Sequence, residues 1–165
     1  MDDELRSFLI GTVGLDVVLV VAVVLTVVRR HGHAEPRQYV RLGNWFAAGI
    51  AAQFAHFSEE FINGFQIRFP ELLGLQPWSA RLFVNFNLAW IAAGLFAVPL
   101  VRRGFRPALF FAWFFAVASM ANGVAHPLLA LGAGGYVPGL WTSPVVGLLG
   151  AVLWRKLWLA TQPPA

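Results

Sequence analysis

The sequence contains no cysteine, and this absence excludes disulfides, thiolate metal sites, iron–sulfur clusters and cysteine nucleophiles. Charged residues are also scarce, at 12% of the 165 residues, whereas about a quarter is usual in soluble proteins. Hydrophobic residues make up 58% of the chain, and its mean hydropathy is +0.66. The composition therefore predicts an integral membrane protein with a single domain over residues 1–165 and no soluble catalytic module.

A continuous basic face is lacking too. The formal net charge is +4, but the basic residues form short clusters at the ends of apolar runs, so no nucleic-acid partner is expected. A basic start is missing as well, because the chain begins with an acidic Met-Asp-Asp-Glu sequence and its first apolar run ends in Arg29 and Arg30. We therefore expect this run to remain in the protein as a helix and not to be removed as a signal peptide.

Five apolar segments are long enough to cross a bilayer core, which needs about 20 helical residues. They lie near residues 8–28, 44–66, 81–101, 105–131 and 139–159. The predicted fold class is an all-α integral membrane protein, built as a five-helix transmembrane bundle. Five of the seven tryptophans lie near the predicted interfaces and are expected to form aromatic belts: Trp45, Trp78, Trp141, Trp154 and Trp158.

Lysine and arginine divide unequally between the two sides of this bundle. One side holds nine of them: Arg29, Arg30, Arg37, Arg41, Arg102, Arg103, Arg106, Arg155 and Lys156. The other side holds three: Arg6, Arg68 and Arg81. By the positive-inside rule the N-terminus is outside and the C-terminus is cytoplasmic. An even number of spans would break this division, which favours five.

The most informative stretch runs from His56 through Glu59 and Glu60 in the second segment. Each ionised side chain inside a bilayer costs a few kcal/mol or more, so three ionisable groups within one turn and a half indicate a site. At about 100° per residue, His56 and Glu60 share a helical stripe with Gln53 and Asn63, and Glu59 lies on its flank.

The other four segments carry polar residues at a similar depth in the outer half of the membrane: Asp16, Asn87, Asn122, His126 and Thr142. Agreement between helices that run in opposite directions predicts one buried polar site. Asp16 either faces this site or pairs with Arg6 or Arg81. His31 and His33 are expected to be solvated loop residues, and Tyr136 is a candidate polar lid in the glycine-rich turn before the fifth segment.

Two imidazoles and one or two carboxylates on facing helices suit zinc, iron or manganese. The predicted metal ligands are His56, Glu59, Glu60 and His126, and the predicted catalytic residues are His56, Glu59, Glu60, Asn87 and Asn122. Substrate-binding or metal-supporting roles are expected for Asp16, Gln53, Asn63, Tyr136 and Thr142. Two alternatives stay open: a metal-free site in which a buried carboxylic acid donates a proton, and a hydrogen-bonded knot that only joins helices.

Several motifs follow one another in a distinctive order. They are His56-x-x-Glu59-Glu60 with Gly64-Phe65, Asn87, Asn122-x-x-x-His126-Pro127, and Tyr136-x-Pro138-Gly139 with Thr142. In this combination the chain resembles the HXXEE family of small bacterial membrane proteins from about residue 45 to residue 144. The resemblance implies a site and a bacterial plasma-membrane location, but no reaction. A more distant analogy is to the emopamil-binding sterol isomerases and the membrane terpene cyclases.

The leading functional hypothesis is an intramembrane hydrolase for a lipid-like or isoprenoid-like substrate, with a divalent metal as cofactor and one glutamate as general base. The alternative is a metal-free isomerase or cyclase in which Glu59 or Glu60 donates the proton. A third hypothesis is a protein that binds or transports a metal ion or a proton, although the inner halves of the segments offer it no polar path. The expected partners are the membrane, the hydrophobic substrate and further copies of the chain in a homo-oligomer.

Overall fold

A computed structural model describes residues 3–29 and 34–161 of the chain. These residues form seven α-helices and no β-strand, which confirms the all-α prediction. The helices are α1 (Asp3–Gly11), α2 (Val13–Val28), α3 (Pro36–Ile62), α4 (Phe65–Leu72), α5 (Ala80–Arg102), α6 (Arg106–Ala133) and α7 (Ser143–Ala160). The two loop histidines, His31 and His33, lie outside the described residues.

Three helices, α5, α6 and α7, are long and apolar enough to cross a membrane, which is consistent with a membrane protein. The pair α1 and α2 also passes this test together, although the two helices are bent by 52° at their junction. Helix α3 is not among them, despite its 27 residues. Its C-terminal half contains Gln53, His56, Glu59 and Glu60, and these polar residues lower its hydropathy.

Two predicted segments differ from the observed helices because of local breaks. The segment predicted over 8–28 is interrupted at Thr12, whose hydroxyl donates to the carbonyl of Phe8. The segment predicted over 44–66 starts earlier, at Pro36, and ends at Ile62. Gly64 then adopts a left-handed conformation with φ of +78°, which glycine tolerates without the steric penalty of a side chain. This turn starts the short helix α4.

Helices α6 and α7 approach each other closely because glycines face each other at their contact. A Cβ atom built on Gly123 would lie 2.7 Å from the Cα of Gly147, and one built on Gly150 would lie 2.7 Å from the Cβ of Ser119. These distances leave no room for a methyl group, so the two backbones pack directly, as small residues allow in membrane bundles. The contact fixes the start of α7 beside the C-terminal half of α6.

One end of the molecule joins α2, α6 and α7 through arginine side chains. The guanidinium of Arg29 lies 3.8 Å above the Trp158 ring and donates to the Trp158 carbonyl at 2.8 Å. Arg106, at the start of α6, donates to the carbonyl of Val27 at 2.9 Å. Both contacts involve carbonyls at helix C-terminal ends, where a positive charge is favoured.

The opposite end attaches α1 to the loop before α5. The indole N–H of Trp78 donates to the Ser7 hydroxyl at 3.1 Å, and Ser7 donates to the carbonyl of Gln76 at 2.5 Å. The backbone N–H of Ser79 donates to a carboxylate oxygen of Glu4 at 2.6 Å. Trp78 is therefore buried and hydrogen-bonded, so its assignment to an interfacial belt is wrong. The packing of α1 over Trp78 could not be predicted from the sequence pattern.

Candidate functional site

Three ionisable side chains meet in the interior between α3 and α6. His56 and Glu60 lie one turn apart on α3, and His126 faces them from α6. All three are buried, with 0%, 6% and 3% of their surface exposed. One carboxylate oxygen of Glu60, Oε1, lies 3.4 Å from Nε2 of His56 and 3.3 Å from Nε2 of His126. We call these three residues the His–Glu cluster.

The spacing of the His–Glu cluster suits a metal ion. One possible ligand atom from each residue lies within 4.8 Å of the other two. Ligands bound tetrahedrally at about 2.0–2.1 Å from zinc are about 3.3 Å apart, close to the two distances from Glu60. Nε2 of His56 and Nδ1 of His126 have no hydrogen-bond partner within the described part of the chain. The cluster could therefore hold a divalent metal ion.

Glu59 has a different environment, formed by the loop that precedes α7. Its Oε1 accepts hydrogen bonds from the Tyr136 hydroxyl at 2.9 Å and the Trp141 N–H at 3.1 Å. Its Oε2 accepts from the N–H and the hydroxyl of Thr142, at 2.8 and 2.6 Å. Four donors to one carboxylate stabilise its ionised form. The carboxylate also caps the N-terminal end of α7, where a negative charge is favoured.

Thr142 connects this carboxylate to the His–Glu cluster. Its hydroxyl oxygen lies 2.8 Å from Nδ1 of His56. The hydroxyl has one proton and directs it to Glu59, so it accepts a hydrogen bond from Nδ1 of His56. This assigns the histidine proton to Nδ1 and leaves a lone pair on Nε2, facing Glu60. A lone pair and a carboxylate oxygen repel each other unless a proton or a cation lies between them.

The two adjacent glutamates thus have separate environments. Glu60 belongs to the His–Glu cluster, whereas Glu59 lies outside it and binds the 136–142 loop. Burial and the Glu59 carboxylate raise the pKa of the Tyr136 phenol to about 12. The phenol therefore remains a hydrogen-bond donor to Glu59 throughout the physiological pH range. Tyr136 also stacks on Trp141, with ring centroids 6.0 Å apart.

Gly139 closes the cluster from the loop side and was not singled out as a site residue from the sequence. Its φ is +89°, and a Cβ atom there would lie 2.5 Å from Cε1 of His126 and 2.9 Å from Cε1 of His56. The loop backbone packs against both imidazoles at a distance that only glycine allows. The Pro138-Gly139 dipeptide is the sequence signal for such a turn, but it does not indicate which side chains the turn covers.

A cavity of about 270 Å³ adjoins the His–Glu cluster. Its polar wall consists of Gln53, Glu60, Asn87, Asn122 and His126. Its aromatic wall consists of Phe8, Phe65, Phe69, Trp78, Phe83, Phe86, Trp90, Phe114 and Phe115. His56 lies behind the polar wall and does not line the cavity. Glu60 and His126 therefore present the cluster to a mostly apolar space.

The structure brings most of the predicted polar residues together but separates two of them. Asp16 is exposed on α2 and is not part of the cavity wall, and no ion pair to it occurs among residues 3–29 and 34–161. Neither interpretation of Asp16 from the sequence matches this position. Asn63 is exposed just after α3 ends, and its side chain donates to the carbonyl of Glu59 at 2.8 Å. It therefore caps the C-terminal end of α3 and does not face the site. Asn87 lines the cavity and also donates to the Phe83 carbonyl.

Comparison with known proteins gives one family. The chain matches none of the curated proteins and none of the solved structures with which it was compared, so the analogy to sterol isomerases and terpene cyclases gains no support. The model of a family described as "protein of unknown function with HXXEE motif" matches residues 45–154, which is two thirds of the chain. The matched residues contain the whole His–Glu cluster, Glu59 and the 136–142 loop. The chain belongs to the HXXEE family.

Proposed function

We propose that this protein is an intramembrane metal-dependent enzyme, and specifically a hydrolase, that acts on a lipid-like or isoprenoid-like substrate. His56, Glu60 and His126 hold the divalent metal, and the adjoining cavity receives the substrate. The observation that carries the proposal is the position of Glu60, whose Oε1 lies 3.4 and 3.3 Å from two imidazole nitrogens at the wall of an apolar cavity.

Three protein ligands are typical of catalytic zinc sites, which keep a further position for water or substrate. A metal bound in this way supplies a Lewis acid and lowers the pKa of a bound water molecule. Since Glu60 and His126 line the cavity and His56 does not, a metal held by these residues would be reachable from the cavity. The amide side chains of Gln53, Asn87 and Asn122 also line the cavity. In this proposal they orient the polar group of the substrate.

The role that we assign to Glu59 differs from the general base expected from the sequence. All hydrogen bonds of its carboxylate run to the 136–142 loop, and it does not line the cavity. It acts as a positioning residue: through Thr142 it keeps the proton of His56 on Nδ1 and frees Nε2 for the metal. Hydrogen bonds of this kind orient metal-bound histidines in other proteins.

In the membrane arrangement that we propose, five helical units cross the bilayer: the bent α1–α2 pair, α3, α5, α6 and α7. The burial of His56 and Glu60 supports α3 as a span, because these two ionisable residues face the interior while nearby exposed positions such as Phe54 and Ile62 are apolar. The basic residues at one end support a cytoplasmic C-terminus and an external N-terminus. The site then lies in the outer half of a bacterial inner membrane.

A second candidate is a metal-free isomerase or cyclase. Glu60 lies within 3.4 Å of two imidazoles, so one proton can be shared between the carboxyl group and a histidine. The aromatic wall of the cavity could also stabilise a positively charged intermediate through cation–π interactions. In this candidate Glu60, and not Glu59, donates the proton to the substrate.

Chelation separates the two candidates. The full-length protein, reconstituted in nanodiscs and supplied with zinc, is incubated with p-nitrophenyl hexanoate as an ester probe and with a terminal medium-chain epoxide. We expect hydrolysis that is lost on chelation, restored by zinc and absent in Glu60→Gln. Turnover that survives complete removal of metal would overturn the metal-dependent proposal and favour the acid–base enzyme.

A further inference from the structure

Three of the residues that line the cavity are also exposed on the surface of the molecule. They are Gly14 on α2, and Ala121 and Ala125 on α6. Ala121 and Ala125 lie one turn apart on the stripe of α6 that also carries Asn122 and His126 of the polar wall. All three have side chains of at most one carbon. We call this gap between α2 and α6 the portal.

The surface around the portal is apolar. On α2, Val13 and Val17 are 59% and 62% exposed, and on α6, Val124 and Leu128 are both 60% exposed. Exposed aliphatic side chains on both rims indicate that the portal faces lipid and not water. In the proposed arrangement it opens into the outer leaflet.

The water-facing end of the cavity is closed. Trp78 and Phe8 line the cavity there, and both are buried. Gly11, the last residue of α1, packs so tightly on Trp78 that a Cβ atom there would overlap with the indole ring. A molecule that reaches Glu60 from the aqueous side would have to displace α1, whereas the portal needs no such movement.

We propose that the substrate enters sideways from the bilayer through the portal, and that it is a small neutral molecule with one polar oxygen group, such as a short isoprenoid or medium-chain alcohol, epoxide or ester. The identity of this ligand as a substrate rests on the function proposed above. A volume of about 270 Å³ is at the lower end for ligand sites, which measure roughly 300–1,000 Å³, and excludes a two-chain phospholipid. No lysine or arginine lines the described cavity, so it offers no cation to hold a phosphate headgroup.

The orientation of the ligand follows from the two walls. Its oxygen group faces Glu60 and His126, and its hydrocarbon part lies against the aromatic wall, which includes Trp78 and Trp90. Both indoles are therefore in contact with a bound molecule. This gives a spectroscopic readout that requires neither metal nor turnover.

The experiment uses 8-bromooctan-1-ol, whose bromine quenches indole fluorescence on contact, with the full-length protein in nanodiscs. We expect a saturable component of quenching in the wild type, which Trp90→Phe reduces. Ala121→Phe and Ala125→Phe should slow the onset of the saturable quenching after rapid mixing by about tenfold or more, because an obstructed entrance lowers the rate of binding. Leu131→Phe is a control on the same helix, at an exposed position outside both the cavity wall and the portal rims, and should leave this rate unchanged.

Gly14→Leu blocks the portal from the other side. A Cβ atom there meets nothing within 4 Å, so this variant is expected to fold and to slow the onset of quenching as the α6 variants do. Equal rates of quenching in the wild type, the portal variants and the control would overturn the proposal, and so would a wild type without saturable quenching. Metal content, measured on the same samples, distinguishes this failure from failure of the proposed function: an intact metal site with an ineffective block refutes the portal alone.

Discussion

At the residue scale, the hydroxyl group of Thr142 determines which nitrogen of His56 carries its proton. It donates to Glu59 at 2.6 Å and accepts from Nδ1 of His56 at 2.8 Å. A metal-binding imidazole must present an unprotonated nitrogen. The pair of Glu59 and Thr142 thus leaves Nε2 of His56 unprotonated, as the proposed metal site requires.

We expect Thr142→Val to lower zinc affinity by about 10- to 100-fold, the usual cost of removing a hydrogen bond that supports a metal ligand. Thr142→Ser keeps the hydroxyl and should bind zinc almost as the wild type does. Competition with a chelator of known affinity measures both values. Equal affinities for the Val and Ser variants would show that the hydroxyl does not prepare His56.

Gly139→Ala should disturb the His–Glu cluster for two reasons. The left-handed backbone costs a non-glycine residue about 1–2 kcal/mol, and the new methyl group would lie 2.5 Å from Cε1 of His126. Gly134→Ala is the matched control, because Gly134 also has a positive φ, of +68°, but a Cβ atom there meets nothing within 4 Å. We expect both variants to lose stability and only Gly139→Ala to lose metal binding. Metal binding that is unaffected in Gly139→Ala would contradict the packing described here.

The sequence predicted the members of the site better than their individual roles. His56, Glu60 and His126 could be grouped from helical periodicity and depth alone. The roles of Glu59 and Glu60 could not be separated, because adjacent helical residues point about 100° apart and the distinction depends on the position of the 136–142 loop. The exposure of Asp16 likewise depends on how α2 is rotated, which a nearly uniform valine helix does not reveal.

At the scale of helices, the site depends on the close approach of α6 and α7. The contact between Gly123 and Gly147 holds α7 where Glu59 can cap its first turn and where Thr142 can reach His56. A wider separation would move the loop away from both histidines. The glycines of this contact therefore support the site from about one turn away.

We expect Gly123→Ala to lower the free energy of unfolding by about 1–3 kcal/mol, the usual cost of overpacking a close contact. Its Cβ atom would lie 2.7 Å from the Cα of Gly147. Gly132→Ala is the control on the same helix: no atom lies within 4 Å of its Cβ, and alanine favours the helix by up to about 1 kcal/mol. Unfolding in mixed micelles of increasing SDS content measures both. A stable Gly123→Ala variant would show that the helices can separate without loss.

Hydrophobicity located the long helices but not their breaks. The apolar residues of α5, α6 and α7 continue through most of each span, so these helices follow the predicted segments closely. The bend at Thr12 and the turn at Gly64 lie inside or at the edge of apolar runs, where hydropathy does not change. Tertiary contacts of α1 with Trp78, which hydropathy does not report, accompany the first break.

At the scale of the whole molecule, the orientation in the membrane can be tested because the chain has no natural cysteine. Single cysteines can be introduced at Leu73, after α4, and at Arg103, after α5, which are both exposed. We expect a membrane-impermeant maleimide to label Leu73→Cys in intact cells and Arg103→Cys only after permeabilisation. The reverse labelling pattern would show that the orientation is opposite to the proposed one. Labelling of both cysteine variants from outside would refute the proposed number of membrane crossings.

The cavity is the feature of the molecule that sequence reasoning could not provide. Its aromatic wall collects residues from α1, α4, α5, α6 and the loop at Trp78, and each of them alone has the pattern of an ordinary core or interfacial residue. Only the fold places this wall beside Glu60 and His126. The composition did predict a membrane protein, and the depth of the polar residues predicted one shared site.

Metal content tests the central claim most directly. The purified full-length wild type, Glu60→Gln and Glu59→Gln are equilibrated at one buffered zinc concentration, well above the wild-type dissociation constant, and analysed for bound metal. We predict about one ion per chain in the wild type and in Glu59→Gln, and none in Glu60→Gln. A folded wild type without metal, or a Glu59→Gln variant as empty as Glu60→Gln, would contradict the assignment of the His–Glu cluster as a metal site.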